Sequence, residues 1–374
     1  MAGTITATRP LRTVPSLHLD LYSLLVVMIV LLGNATVRGV DLALVTLYPA
    51  LFAVVLWQRH PVPRRHLMQL LAIGALALAL ILLSARIVPD YFPAYWLWSV
   101  KFLILAVLML FGPPPTWPTL NHYIFLGFCL FVIAFSRYEY GRLYSFFGPN
   151  MLYRIYGLLF VLSMIQMVQS RVRQPFVHLG GMGLGGFVLV ATGSVGALIM
   201  FLIPALLLLT LKPLQTRIIV LSVYALVAAG LGFYLLNSDS NLIARVFYKL
   251  DNLLLSMRII GWDALLSQPF ALFGHSYQYF GLANIWVEHY EYPHNLFIEL
   301  YAYYGVLVFG IGFCCLHALA CYHTKMSVEY IAFIVVFLGA QLSGDLSDNY
   351  GALALGVVLF ARRKAEPAGM MQSG

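Results

Sequence analysis

Apolar positions dominate the chain in long runs that short polar or basic connections separate. A hydrocarbon core about 30 Å thick needs about 20 apolar residues per helix, and runs on that scale recur from residue 19 to residue 361. The pattern predicts an all-α fold, a polytopic integral membrane helical bundle with about twelve transmembrane helices. The glycine-rich pair of runs on either side of `TGSVG` suits a broken or re-entrant element.

Composition strengthens this interpretation. Of the 374 residues, 61% are hydrophobic and 10% are charged, against roughly 25% charged in soluble domains. No long polar block interrupts the apolar runs, so we expect one integral membrane domain over residues 1–374. The net charge of +8 is better explained by cytoplasmic Lys and Arg than by nucleic-acid binding.

The basic residues also predict the orientation of the chain. If the N-terminus is cytoplasmic, every even connection should be cytoplasmic and basic, and most are, with Arg59, Arg64, Arg65, Arg171, Arg173, Lys212, Arg217 and Lys325. Both termini are then cytoplasmic. Residues 237–293 form the large connection on the opposite side, where helical spacing of apolar residues predicts one or two amphipathic helices lying over the membrane surface.

The stretch `EYPHNLFIELYAYYGVLVFGIG`, residues 291–312, follows this loop and carries unusual chemistry. Pro293 suits a first helical position, which predicts His294 and Asn295 in the first turn of a helix that continues to about residue 318. The helix dipole there opposes protonation of the imidazole and favours a nearby anion. The alternative is a His among aromatic side chains at the membrane interface, satisfied by water and headgroups.

Two further positions on this predicted helix support the same site. Glu299 lies four residues after Asn295 on the same face, so we expect it to point into the bundle. Gly305 lies three turns beyond His294, where a missing side chain lets another helix approach closely. Elsewhere, Lys101 is well inside an apolar run; we expect it to snorkel, with a lipid-phosphate contact as the alternative.

The order His-Asn, nine residues, then Gly-x-x-x-x-Gly resembles the signature of the O-antigen polymerase and O-antigen ligase superfamily. Three more stretches match in the same order: `RLYSFFGPN` at residues 142–150, `ATGSVGALIMFL` at 191–202, and `SMRIIGWDALLSQPFALFGHSYQYF` at 256–280. The resemblance covers roughly residues 120 to 360. Many members have Arg after the serine of the second stretch; here Ser194 is followed by Val195, and Arg154 is a candidate substitute.

The resemblance implies a metal-independent glycosyltransferase of the bacterial inner membrane that uses a polyprenyl-diphosphate-linked glycan donor. His294 would be the general base that takes a proton from the acceptor hydroxyl. Arg142, Arg258 and Arg245 would bind the diphosphate, since a guanidinium matches phosphate oxygens in a fork. For Arg258 and Arg245 the alternative is a contact with lipid phosphates; for Arg142 it is the anchoring of a short loop.

The first function we expect is polymerisation of undecaprenyl-diphosphate-linked repeat units into a surface polysaccharide at the periplasmic face. The alternative within the class is ligation of the finished glycan to lipid A core or protein. A lipid-linked sugar transporter or flippase is the alternative from another class, for which polar residues would converge at mid-membrane. Expected partners are the lipid-linked donor, the glycan acceptor, membrane lipids, and chain-length regulator and flippase proteins. We expect no cofactor, no metal and no nucleic acid.

Overall fold

The computed structural model describes most of the chain in separate ranges. They are residues 18–33, 35–37, 40–58, 64–84, 92–139, 142–145, 149–169, 175–192, 262–263, 265–274, 295–322, 327–341 and 346–363, with scattered positions between 197 and 232. Most of these residues are helical, which confirms the all-α part of the prediction.

The described helices form two groups, one before residue 192 and one after residue 295. The first seven are α1 (Leu21–Leu32), α2 (Tyr48–Gln58), α3 (Arg64–Ser84), α4 (Phe92–Phe111), α5 (Thr119–Ala134), α6 (Pro149–Gln169) and α7 (Pro175–Ala191). The last four are α8 (Leu296–Tyr304), α9 (Leu307–Tyr322), α10 (Val328–Ala340) and α11 (Leu346–Arg363). A π-helical turn, Ala43–Leu47, leads into α2.

Two antiparallel hairpins interrupt the helices. In the first, β1 (Thr36–Val37) pairs with β2 (Val40–Asp41) between α1 and the π-helical turn. In the second, β3 (Arg137–Glu139) pairs with β4 (Arg142–Tyr144) between α5 and α6. The apolar pattern did not predict either hairpin, because each hairpin lies in a connection between helices and has only two or three residues in each strand.

The helices pack around a core that α6, α10 and α11 fill with buried side chains. α6 lies along α7, and α11 packs against α4, α9 and α10. The helix termini lie at two opposite ends of the bundle. We call the end where α1, α5, α7 and α10 begin the Asp20 end, and the end where α6, α8 and α11 begin the Asn295 end.

A side-chain network joins α1, α5 and the connection before α5 at the Asp20 end. The Asp20 carboxylate caps α1 by accepting from the Ser23 amide at 3.0 Å, and it also accepts from the Thr116 hydroxyl at 2.5 Å. The Asn121 side chain donates to the Asp20 carbonyl at 2.7 Å and accepts from its amide at 3.0 Å. Short polar side chains thus satisfy the first turn of α1 and fix it to the start of α5.

A buried ion pair closes the same end. Arg362, in the last turn of α11, forms a salt bridge with Glu329, in the first turn of α10. The Arg362 guanidinium also donates to the carbonyl oxygens of Met109, Gly112 and Pro113, at the end of α4, at 2.5, 3.3 and 3.3 Å. A cation is favourable there because helix carbonyls at a C-terminus lack intrahelical partners.

Lys101 does not snorkel, so that expectation is wrong. Its side chain is 1% exposed; the ammonium forms a salt bridge with Asp41 and donates to the Gly33 carbonyl at 2.8 Å. The Tyr350 hydroxyl donates to the same carbonyl at 3.2 Å and is 3.0 Å from the Tyr48 hydroxyl. The first hairpin, α1, α2, α4 and α11 therefore meet around one buried charge pair.

The outer faces of the described helices are strongly apolar. Phe309, Phe313 and Leu316 are each about 60% exposed and repeat at helical spacing on α9, while Trp57 and Phe176 are more than 80% exposed. Within the described ranges, no helix combines the length and the apolar character that a membrane crossing requires.

Candidate functional site at the Asn295 end

The helix that follows the predicted base begins later than the sequence suggests. α8 starts at Leu296, and Asn295 is its N-cap in extended conformation. The Asn295 side-chain oxygen accepts from the amides of Phe297 and Ile298, both at 3.0 Å. Placing Pro293 first and Asn295 in the first turn was therefore wrong, because Asn is a strong N-cap residue and satisfies two free amides there.

The same side chain ties α8 to a second helix. The Asn295 amide nitrogen donates to the carbonyl of Gln341 at 3.2 Å, and Gln341 is the C-cap of α10. The amide supplies both the acceptor that caps α8 and the donor to this carbonyl, whereas a carboxylate would have no donor. The positive N-terminus of α8 is thereby fixed beside the negative C-terminus of α10.

Glu299 is completely buried in α8, which confirms that it points into the bundle. Its amide donates to the Asn295 carbonyl at 3.0 Å, the first hydrogen bond of the helix. α8 packs against α3, α9 and α11. At its other end, the Trp98 indole nitrogen of α4 donates to the Tyr304 hydroxyl at 3.0 Å.

Gly305 ends α8 instead of continuing it. Its φ of +56° is unfavourable for residues with a side chain, and the next helix begins at Leu307. The expectation of one helix to about residue 318 is therefore wrong, and the face of His294 relative to Gly305 lies outside the described residues. Close packing at Gly305 is present, but its partner is a loop backbone, not a helix.

That loop is residues 271–274, within the stretch at 256–280. A Cβ on Gly305 would collide with Leu272 O and Gly274 N, while a Cβ on Gly274 would lie 2.5 Å from the carbonyl carbon of Tyr303. Gly274 has a φ of +80°. The Val306 amide donates to the Leu272 carbonyl at 2.9 Å. We call this mutual backbone contact the glycine joint.

An open apolar groove of about 550 Å³ borders the joint. Leu266 and Phe270 line one side, while Phe297 of α8 and Phe309 and Phe313 of α9 line the other. Such a lining suits an apolar chain and offers almost nothing to a polar ligand.

Two arginines lie at this end, one before α6 and one in its second turn. Arg142 is the first residue of β4 and pairs in register with Glu139, so its backbone does anchor a short hairpin. Arg154 lies in the second turn of α6 and is 2% exposed, with its guanidinium carbon 5.9 Å from the Tyr153 ring. The Tyr153 hydroxyl donates to the Gly339 carbonyl at 3.0 Å, two residues before the carbonyl that holds Asn295.

The remaining predicted site residues, His294, Arg245 and Arg258, lie outside the described residues, as do Ser194 and Val195. The structure thus brings together Asn295, Glu299 and Gly305 on one short helix. Sequence reasoning missed Gln341 and Gly274. An Asn directly before an apolar run is a sequence signal for a helix N-cap, so the role of Asn295 could have been predicted.

Comparison of the chain with protein-family models, with curated proteins and with solved structures found no match. The residues with described positions contain no cluster of three or more His, Cys, Asp or Glu that could hold a metal ion. Metal-free catalysis stays a prediction, and function is argued below from the site and the sequence.

Proposed function

We propose that this chain polymerises undecaprenyl-diphosphate-linked oligosaccharide units into a surface polysaccharide, such as O-antigen or exopolysaccharide. The reaction takes place at the periplasmic face of the bacterial inner membrane. The observation that carries the proposal is the glycine joint, which attaches the segment after Arg258 to the helix that follows His294. Leu265 comes seven residues after Arg258, and Asn295 directly follows His294.

The proposal that the protein lies in a membrane is supported by the composition of the chain and by its exposed apolar surface. The lengths of the described helices do not support it. Contiguous apolar patches of this kind mark contact with lipid or protein. With the N-terminus cytoplasmic, the Asp20 end faces the cytoplasm and Arg362 agrees with the excess of positive charge there. The Asn295 end then faces the periplasm.

The chemistry follows from the residue types. The acceptor hydroxyl oxygen bonds to the anomeric carbon as the bond from that carbon to the diphosphate oxygen breaks, and the leaving diphosphate keeps the electron pair. His294 takes the hydroxyl proton. Arg142, Arg258 and Arg245 neutralise the charge that develops on the leaving group. The apolar groove beside α8 suits the isoprenoid tail of the donor.

A transporter is the second candidate, because the Lys101–Asp41 pair is a buried charge cluster inside the bundle. Buried ionisable pairs mark ion or substrate pathways in transporters. Ligation to lipid A core or protein is the other outcome within the transferase class.

The test is a transfer assay with purified protein in lipid nanodiscs and a lipid-linked repeat unit. Products with two or more repeats on one lipid support a polymerase. Transfer only to added lipid A core supports a ligase. Flux of labelled lipid-linked sugar across proteoliposomes, with no new glycosidic bond, would contradict both and favour transport.

The donor-binding role of Arg258 needs its own variants in the same assay. Because binding of a diphosphate uses the planar fork as well as the charge, Arg258→Lys should lose much of the activity and Arg258→Ala nearly all. Arg171→Ala, on the predicted cytoplasmic side, is the control. Full activity of Arg258→Ala at normal protein level would leave Arg258 as a lipid-contacting residue.

A further inference from the structure

We infer that the glycine joint is a permanent anchor for the large loop and that Gly274 is a positioning residue for the transfer reaction. The catalytic consequence rests on the proposed function. The anchor itself is a statement about the fold: residues 271–274 stay attached to the turn between α8 and α9 throughout the reaction, so this part of the loop does not act as a lid.

The first argument is that each glycine is required by the backbone of the opposite segment. Both have positive φ, +80° at Gly274 and +56° at Gly305, where a Cβ is strained. A Cβ at Gly274 would meet three backbone atoms of Tyr303 and Tyr304 within 2.7 Å. Backbone atoms cannot rotate away as a side chain can, so any side chain at Gly274 must open the joint.

The second argument is that further contacts hold the same segment near both of its ends. The Leu265 side chain is completely buried, and Trp262 packs against the core. The Phe270 and Tyr301 rings lie 6.2 Å apart. The Val306 amide bonds to the Leu272 carbonyl. Residues 266–270 and 272–273 are exposed, so the attachment of the segment depends on Leu265 at one end and on the joint at the other, and an opening of the joint would be local.

The third argument is connectivity. Gly274 lies twenty residues before His294, and Leu265 seven residues after Arg258. Arg258 is thus connected to the end of α8 through Leu265 and the joint, and His294 is connected to the start of α8 through Asn295. If the joint opened, the predicted diphosphate-binding residue would lose its attachment to the helix that follows the predicted base, and misplacement by an ångström can cost about 10²-fold in rate.

The first experiment compares Gly274→Ala with a glycine that has open space. Gly127, in α5, has nothing within 4 Å of a Cβ built on it, so Gly127→Ala is the matched control. Among folded, purified proteins, Gly274→Ala should lower kcat/KM for the donor about tenfold or more, since positioning is lost, while the control stays at the wild-type value. An unchanged kcat/KM in folded Gly274→Ala would overturn the positioning role.

The second experiment needs no destabilising change. Leu272→Cys combined with Val306→Cys places a disulfide across the existing hydrogen bond. A permanent anchor predicts that the oxidised protein keeps turnover within about threefold of its reduced form, a change of under 1 kcal/mol in barrier. Loss of turnover on oxidation, recovered on reduction, would overturn the anchor and make the segment a lid.

Hydrogen exchange separates this inference from the proposed function. The Val306 amide should exchange slowly in the wild type and in Gly127→Ala, and fast in Gly274→Ala, whether or not the protein transfers sugar. Fast exchange in the wild type would overturn the anchor. Absence of glycosyl transfer with slow exchange would overturn the proposed function and leave the anchor standing.

Discussion

The two ends of the bundle are held together by different kinds of contact. At the Asp20 end, charged and polar side chains bind one another and the helix termini, as in the Arg362–Glu329 pair and the Asp20–Asn121 bonds. At the Asn295 end, one amide side chain and the glycine joint connect short elements through their backbones.

This difference indicates that the two ends of the bundle have different roles. The network at the Asp20 end fixes five helices with side chains that have their partners inside the protein, and we assign it to stability. The Asn295 end carries the residues predicted to react, and its contacts define the direction of one nine-residue helix. Substitutions at the first end should reduce folding, and those at the second should reduce transfer.

The largest effect is expected for His294→Ala. A general base contributes about 10² to 10⁴-fold, so transfer by the folded protein should fall by that factor. A surface substitution changes stability by no more than about 0.5 kcal/mol, so the melting temperature should barely move. Wild-type turnover in His294→Ala would remove the base assignment and leave an interfacial histidine.

Neutralising Glu329, at the Asp20 end, should lower stability and leave transfer unchanged. Glu329→Gln leaves the Arg362 charge without its carboxylate, and breaking a buried pair costs about 3 to 5 kcal/mol. Denaturant unfolding should report this loss, while turnover per folded molecule stays unchanged.

A double variant isolates the cause. Adding Arg362→Met to Glu329→Gln removes the stranded charge, so the double variant should be more stable than Glu329→Gln alone. If the double variant is the less stable of the two, the carbonyl bonds of Arg362 contribute more than its unpaired charge costs.

Gly33→Ala tests the interior between the two ends. Its Cβ would collide with the Tyr350 hydroxyl, which is part of the Lys101 cluster. Overpacking of this kind costs about 1 to 3 kcal/mol. Gly74→Ala in α3, where a Cβ meets nothing within 4 Å, is the control and should be neutral or stabilising by about 1 kcal/mol. Equal melting temperatures for the two variants would contradict the close contact.

The smallest effect separates the two roles of Asn295. Asn295→Ala loses both the cap and the bond to Gln341, at a cost of about 1 to 2 kcal/mol. Asn295→Asp keeps the cap acceptor and loses only the donor, at a cost of about 1 kcal/mol. Thermal unfolding of the pair measures the difference. Equal losses would mean that the Gln341 bond accounts for the whole effect.

The sequence predicted the helical class and the inward direction of Glu299, because both depend on apolar spacing along one helix. It did not predict the partner of Lys101, since Asp41 is sixty residues away and only packing brings the two together. Position alone made snorkelling the expected behaviour of a lysine inside an apolar run.

The end of α8 was missed for a related reason. `YYGVLVFG` is apolar throughout and carries no Pro, so local pattern favours one continuous helix. The break at Gly305 depends on residues 271–274, thirty residues earlier in the chain, whose carbonyls occupy the space of a side chain. The sequence showed that a glycine could adopt a positive φ at this position, but it did not show that the fold requires one.

The length of α8 has a consequence for how this protein can vary. Nine residues span about 13.5 Å, at 1.5 Å and 100° per residue, and both termini are attached to other parts of the fold, at Gln341 and at Leu272. One inserted or deleted residue would turn Glu299 about 100° away from the interior or pull one attachment apart. Substitutions along α8 are therefore far more tolerable than insertions or deletions, and homologous chains should keep the spacing from Asn295 to Gly305 even where the residues between them differ.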